Sequence, residues 1–375
     1  MRGVLPLRAG HRERDVSAKN AAPDPGAALL AASCPVPAAE GEAILLAHGG
    51  GGRMTQRLIE TVFLKSFDNP ALRELHDGAV FEVGGARLAF STDSFVISPL
   101  FFPGGDIGSL AVHGTVNDLA MCGAQPLALS AGLILEEGLL LSDLSRIVAS
   151  MQAAADEAGV SIVTGDTKVV DRGKGDGVFI NVSGVGLVPP GIAISPKRAR
   201  PGDVVLVSGE IAVHGIAIMS LREGLRFETT LASDTAALNG LVAALLGGLG
   251  DKVHVLRDPT RGGVASTLHE IAAQAGVGIR LEEARLPIGE EVRGACEILG
   301  LDPLYVANEG KCLAIVAREA ADEALALLRA HPLGRSAAVI GEVLVEPRGT
   351  VVLKSRVGGQ RIVDLLTGEQ LPRIC

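Results

Sequence analysis

Tryptophan is absent from this 375-residue chain, tyrosine occurs once, and aromatic residues make up 3% of it, so the core is expected to be built from alanine, valine and leucine. No run of eighteen apolar residues occurs, which excludes a helix that spans a membrane. A surplus of positive charge is also missing. With 34 Lys and Arg against 43 Asp and Glu the net charge is -9, which argues against sequence-independent binding to nucleic acid, since that binding needs cations to neutralise phosphates. The five cysteines (Cys34, Cys122, Cys296, Cys312, Cys375) are odd in number and contain no CxxC pair. That pattern speaks against a disulfide frame or a zinc site and for reduced thiols in a cytoplasmic protein. Two nucleotide signatures are lacking as well. There is no GxxxxGK[ST], and Gly184-Val185-Gly186 meets Pro189 where GxGxxG requires its third glycine, so any nucleotide must be held by other means.

What is present reads as a soluble globular protein of about two domains: 47% hydrophobic residues, 21% charged, and 48 glycines. Residues 1–42 differ from the rest, with early arginines and then an Ala/Pro/Gly-rich run, and are expected to be a disordered extension. A signal peptide is rejected because the apolar run Ala27 to Ala32 is short and follows Asp24. Order is expected from Ala43, with Ile44 to Ala47 as a short strand before His48 and the glycines Gly49, Gly50, Gly51 and Gly52. Four successive glycines either converge their N–H groups on an anion or form a floppy loop. The spacing of Met54, Leu58, Ile59, Val62 and Phe63 predicts that they lead into a helix.

Acidic residues then recur at the ends of predicted elements. Asp93 follows a strand, Asn117 and Asp118 sit in an apolar helix over 107–123, and Asp166 with Thr167 and Lys168 follows the strand Val160 to Val163. Each aspartate alone reads as a turn or cap residue, but their repetition beside a glycine loop fits a magnesium–nucleotide site built from hard oxygen ligands. A Pro-rich stretch over 189–201 reads as a linker to a second α/β unit that starts at Asp203. Its loops Asp258-Pro259-Thr260-Arg261-Gly262-Gly263 and Asn308-Glu309-Gly310-Lys311 offer carboxylates, cations and free N–H groups, the first at a helix N-terminus. The chain ends in Leu371-Pro372-Arg373-Ile374-Cys375. A thiol on the last residue is either a chance feature of a frayed end or an acyl carrier on a mobile arm.

Taken together, LAHGGGG, FSTDSFVISPLFFPGGDIG, VTGDTKVV, DPTRGGV, NEGK and the terminal PRIC resemble the HypE family of nickel–iron hydrogenase maturation proteins. The similarity covers the chain from about Ile44 to its end. The resemblance implies an α/β (α+β) two-domain fold of the aminoimidazole ribonucleotide synthetase-like kind. Its parts are a nucleotide-binding and dimerisation domain over 43–190, an α/β domain over 200–365 and a mobile tail over 366–375. It implies ATP and Mg2+ as cofactors, the carbamoyltransferase HypF and the HypC–HypD complex as partners, and a homodimer. Cys375 would carry a carbamoyl group as a thiocarbamate, and ATP-dependent dehydration would convert it to a thiocyanate, the source of hydrogenase cyanide. Lys168 and Glu309 match positions for proton transfer. Asp93, Asp118, Asp166 and Asp258 match the metal positions, and His48, Gly49 to Gly52, Asn117, Thr167, Arg261, Gly262 and Gly263 match those for nucleotide and phosphate. Two rivals remain at this stage, a non-catalytic carrier or scaffold and another ATP-dependent synthetase acting on a free small molecule.

Overall fold

The computed structural model describes residues 43–225, 231–368, 371 and 373–375; the extension expected over 1–42 lies outside the described residues. The segment expected as a strand at Ile44 is instead a 3-10 turn, Leu46–Gly49, because no neighbouring strand is there to take its backbone groups. Helix α1 (Arg53–Leu58), a π turn (Ile59–Phe63) and α2 (Leu64–Phe67) follow without a break, as the apolar spacing predicts.

The first sheet starts with a hairpin. β1 (Ala79–Val83) and β2 (Ala86–Phe95) turn through Gly84 and Gly85, whose φ angles of 59° and 83° suit glycine and match the twist of the strands. A short pair, β3 (Phe101–Phe102) and β4 (Gly105–Asp106), leads into α3 (Ile107–Met121). Asp106 starts that helix by accepting from the N–H groups of Gly108 and Ser109 at 2.8 and 3.0 Å. Then come β5 (Gln125–Glu136), the amphipathic α4 (Leu141–Ala158) ended by left-handed Gly159, β6 (Ser161–Val170) and β7 (Val178–Val188). The strand order is β1-β2-β7-β5-β6, with β5 and β6 parallel and the other pairs antiparallel.

This sheet has one covered and one open face. Along β2, Ala89, Ser91 and Phe95 are buried, while Phe90, Thr92 and Ser94 are exposed; β7 alternates the same way. α3 and α4 lie over the covered face, and α3 is apolar nearly all round because it is enclosed between the sheet and the second half of the chain. β6 is exposed along almost its whole length.

The second sheet uses β8 (Val204–Val207), β9 (Val253–Arg257), β10 (Gly278–Glu282), β11 (Leu313–Val316), β12 (Ala338–Leu344), β13 (Thr350–Lys354) and β14 (Gln360–Val363) in the order β14-β13-β10-β12-β8-β11-β9. Helices α5 (Val213–Arg222), α6 (Asn239–Leu249), α7 (Gly263–Ala275), α8 (Glu290–Leu299) and α9 (Ala321–Ala330) connect them. β8 and β11 are unbroken apolar runs because both faces are covered. Val204 and Leu206 belong to the cluster shared with α6 and α9, and Val205 and Val207 to the cluster under α7. The first of these clusters is continuous with the core beneath the first sheet and takes in Ile374 and Cys375.

Candidate active site

Beside a cleft lined by Gly50, Arg261, Gly262, Ala307 and Ile374 stand three carboxylates from distant parts of the chain. Asp77 precedes β1, Asp118 sits on α3 and Asp258 follows β9, and one oxygen of each lies within 4.8 Å of the others. Burial first, then Asp258, Asp77 and Asp93 nearby, raise the Asp118 carboxyl well above its ordinary range, although the Ser91 hydroxyl donates to it at 2.6 Å. Asp258 is raised in the same way, by burial and then by Asp77. For Asp77 burial pushes upward too, but the Arg257 guanidinium, 2.6 Å from its carboxylate, and His76 outweigh this and hold it below the usual range. Its Oδ2 accepts no hydrogen bond among the described residues. Three clustered carboxylates with an unsatisfied oxygen and two unfavourable charges are the donor set a hard divalent cation needs.

Two glycine loops close one side of the cleft. Gly51 (φ 73°) and Gly52 lie directly on the loop Arg261–Gly262 and on Leu366. A Cβ on Gly51 would stand 2.8 Å from the Arg261 carbonyl oxygen, and one on Gly52 2.4 Å from that of Leu366. Gly262 (φ 73°) and Gly263 (φ 61°) begin α7, which has no side-chain cap; the Gly263 N–H is taken by the Thr260 carbonyl at 3.0 Å, which leaves the N–H groups around it to an anion. The loop around Glu309 is bound to this one. Asn308 donates to the carbonyls of Pro259 and Val306 and accepts from the Ala212 N–H at 2.7 Å. Glu309 is 3% exposed, and burial, then Asp258 and Asp93, raise its carboxyl well above the ordinary range.

The tail occupies this cleft. Cys375 is 5% exposed, and its Sγ lies 3.7 Å from Nη1 of Arg261, whose Nη2 is 4.0 Å from Asp93 Oδ1. Burial pushes the thiol up to about 12; Arg261 draws it down, while Glu309 and Asp93 add to the rise. The arginine beside the sulfur is therefore Arg261, whereas Arg373 is ion-paired to Asp176. Beyond the end of β2, the tail adds a short antiparallel ladder: the Val96 N–H donates to the Cys375 carboxyl oxygen at 3.2 Å and the Ser98 N–H to the Arg373 carbonyl at 3.3 Å.

Among the residues singled out from sequence, the fold brings together Asp93, Asp118, Asp258, Arg261, Gly262, Gly263, Glu309, Cys375 and the loop of Gly50 to Gly52. Gly49 adjoins that loop and is exposed, and His48 bonds back to Leu45. Asn117 is buried and engaged elsewhere: its side chain donates to the Ala236 carbonyl and accepts from the Leu238 N–H, so it braces the segment before α6. Asp166, Thr167 and Lys168 are not in the cluster. They lie within β6 rather than after a strand, with Lys168 2.7 Å from Asp166 Oδ1. Asp166 shares its register with Gly132, Asn181 and Ser94, hence the open face, whereas Asp93 lies on the covered one. Three strand spacings of about 4.8 Å also put them about 14 Å apart along the sheet. Sequence reading missed Asp77. Its only signal is a carboxylate and a glycine, Asp77-Gly78, directly before the first strand.

Comparison with known proteins finds matches over both halves of the chain. Residues 75–188 match the family described as AIR synthase related protein, N-terminal domain, and residues 200–354 its C-terminal domain. The chain is 58% identical over 330 residues to the carbamoyl dehydratase HypE of Azotobacter vinelandii, covering 88% of this chain and 96% of that one. It is similar to a crystal structure of a HypE–HypF complex (TM-score 0.79, 50% identity, 82% of this chain and 99% of that one). It is also similar to one of the hydrogenase maturation protein HypE in complex with ATP (TM-score 0.75, 52% identity, 89% and 100%).

Proposed function

The chain belongs to the HypE family of carbamoyl dehydratases, and on that premise we propose that Cys375 carries a carbamoyl group, as a thiocarbamate, into the cleft beside Arg261, where it is dehydrated to a thiocyanate. The protein is an ATP-dependent carbamoyl dehydratase of hydrogenase maturation. The observation that carries the proposed role of Cys375 is the seating of its sulfur, 3.7 Å from Arg261, against the same cleft as the three carboxylates and the glycine loops.

Dehydration breaks the bond between the cargo carbon and its oxygen and removes two N–H protons, leaving a carbon–nitrogen triple bond on sulfur. ATP, when bound, supplies the phosphoryl group that carries this oxygen away as inorganic phosphate, leaving ADP, and magnesium supplies charge neutralisation for the phosphates. In our reading Asp77, Asp118 and Asp258, with Asp93 beside them, would hold the magnesium. The loop at Gly49 to Gly52 and the start of α7 at Gly262-Gly263 would receive the phosphates on the N–H groups other than those of Gly51 and Gly263, which go to the Thr55 hydroxyl and the Thr260 carbonyl. Arg261 lies against the carrier sulfur, where it can steady the negative charge that grows on the cargo oxygen. Glu309, buried and with its carboxyl raised, is the base for the cargo N–H protons, since a raised carboxyl holds a proton well once it has taken it.

We assign Asp166, Thr167 and Lys168 to a site shared between two subunits. The open face of the first sheet carries Phe81, Phe90, Ile134 and Leu187, each at least 38% exposed, and β6 offers an unpaired edge among the described residues; a second copy of the chain is the occupant that fits. Residues 43–190 would then bind ATP and form the homodimer, 200–365 would complete the cleft, and 366–375 would be the carrier arm. The partners in this reading are HypF, which loads the thiol, and a HypC–HypD complex, which takes the cyanide for the nickel–iron site. No helix among the described residues is long and apolar enough to cross a membrane. The four described cysteines are free, and the setting in this reading is the reducing cytoplasm.

The test is intact mass and infrared spectroscopy of the protein incubated with HypF, carbamoyl phosphate and ATP. The wild type is expected to gain a carbamoyl group, then lose water and show a nitrile band, and Cys375→Ser is expected to do neither. A nitrile on the Cys375→Ser protein would overturn the assignment.

A further inference from the structure

Docked, the Cys375 sulfur is buried beside acidic groups, and burial keeps it a thiol. A buried thiol is a poor nucleophile, so the sulfur must acquire its cargo when the tail is out, and the cargo carbon gives up its oxygen when the tail is in. This argument rests on the function proposed above. What holds the inward state is therefore a separate question from what performs the chemistry.

Most of the contacts that hold the tail fall on its main chain. His214, fully buried at the start of α5, lies with Nε2 2.9 Å from the Ile374 carbonyl and Nδ1 2.7 Å from the Ser233 hydroxyl. A carbonyl can only accept, so Nε2 carries the proton, and Nδ1 accepts from the Ser233 O–H. The Ser233 N–H is itself anchored on the Pro103 carbonyl at 2.7 Å. Arg222, the last residue of α5, donates from Nε to the Ser98 carbonyl at 2.5 Å and from Nη2 to the Arg373 carbonyl. It thus joins the strand extension to the tail it receives. Asp176, in the loop between β6 and β7, takes the Arg373 side chain. Arg373 itself adopts a left-handed backbone (φ 50°), a conformation that a non-glycine residue keeps only while its neighbours are held.

We propose that His214 and Arg222, from the two ends of α5, grip the backbone of residues 373–374 and, with Asp176 on the Arg373 side chain, form a clamp that sets how much of the time the carrier sulfur spends in the cleft. These are positioning residues. His214 and Arg222 grip main-chain oxygens, so the clamp does not depend on what the sulfur carries, and it acts on dehydration while opposing loading.

Two measurements on the full-length protein test this. The first uses iodoacetamide on the unloaded protein, with modification of the C-terminal peptide followed by mass spectrometry. Arg222→Gln and His214→Ala are expected to raise the Cys375 alkylation rate about tenfold or more. His214→Gln, which restores an N–H donor, and Arg222→Lys are expected to recover much of the protection. The second compares HypF-dependent loading with single-turnover conversion of loaded protein on adding ATP; the Arg222→Gln and His214→Ala variants are expected to load at the wild-type rate or faster and to convert at least about fivefold more slowly. Unchanged alkylation, or loading and conversion that fall together with the melting temperature, would overturn the clamp. The alkylation arm uses no carbamoyl chemistry, so its failure leaves the dehydratase reading standing, and absence of nitrile in the wild type leaves the alkylation result intact.

Discussion

Between Asp118 and Asp258 the cleft holds two carboxyls whose charged forms are disfavoured by burial and by nearby acids, and Glu309 adds a third. All three are raised in the folded chain relative to an unfolded one. The stability they contribute is therefore fully present below the ordinary carboxylate range and is lost as pH rises through their folded values. Asp77 has the opposite sign, so its contribution is lost only on acidification. In chelator-treated protein the melting temperature is expected to fall from pH 5 to pH 8, and added magnesium is expected to restore it most at the upper end. In Asp118→Asn the fall is shallower, because one of the crowded charges is gone, and magnesium restores little. Thermal denaturation at fixed ionic strength, with and without the metal, checks both signs. At this scale the sequence marks Asp93, Asp118, Asp258, Arg261, Glu309 and Cys375 by their company: acids in apolar segments, glycines beside arginine, a thiol at the end. Asp77 carries no such mark, since only the fold sets Arg257 and Asp118 against it.

Elements decide what each residue can reach. Gly262 shows this: it has φ 73°, and a Cβ there would meet the Ser266 Oγ at 2.2 Å, so Gly262→Ala sets backbone strain and a steric clash at the start of α7. A loss of about 1–3 kcal/mol is expected from the backbone alone. The melting temperature is expected to drop by calorimetry and ATP affinity to weaken by titration, because the N–H groups at the start of α7 shift. The helices are legible because their apolar spacing repeats with the period that buries one face, as it does in α4 and α8. Strand ends are less legible. Asp93 and Asp166 read as residues after a strand, yet β2 and β6 continue through them. With a period of two, register alone then sends Asp93 to the covered face and Asp166 to the open one.

The whole molecule adds what no single element holds. One hydrophobic cluster runs from under the first sheet through α6 and α9 to Ile374, so the tail ends inside the core. Burying the Ile374 side chain contributes about 1.5–3 kcal/mol. Ordering three backbone residues costs about 1–2 kcal/mol each, so apolar contact by itself does not hold the arm and the polar contacts decide. The open face of the first sheet makes the prediction that belongs to this scale. Phe90→Glu and Ile134→Glu put a charge on that face in every subunit, and sedimentation is expected to show a dimer for the wild type and a monomer for the variants. ATP turnover is expected to fall with the dimer, since Asp166 and Lys168 then have no second subunit to serve. A wild-type monomer, or variants that remain dimeric and active, would remove both the interface and the shared site.

Local chemistry is written in the chain itself: which stretches are helical, that glycine loops and acids lie near one another in order, that the last atom of interest is a sulfur, and to which family these motifs belong. Those properties depend on neighbours a few residues away or on short motifs, and a sequence displays both. The grouping of Asp77 with Asp118 and Asp258, the opposite facing of Asp93 and Asp166, the use of Asn117 as a brace and the grip of α5 on the tail were decided by tertiary structure alone. Each depends on strand register or on contacts between residues tens to hundreds of positions apart, and no local pattern encodes either.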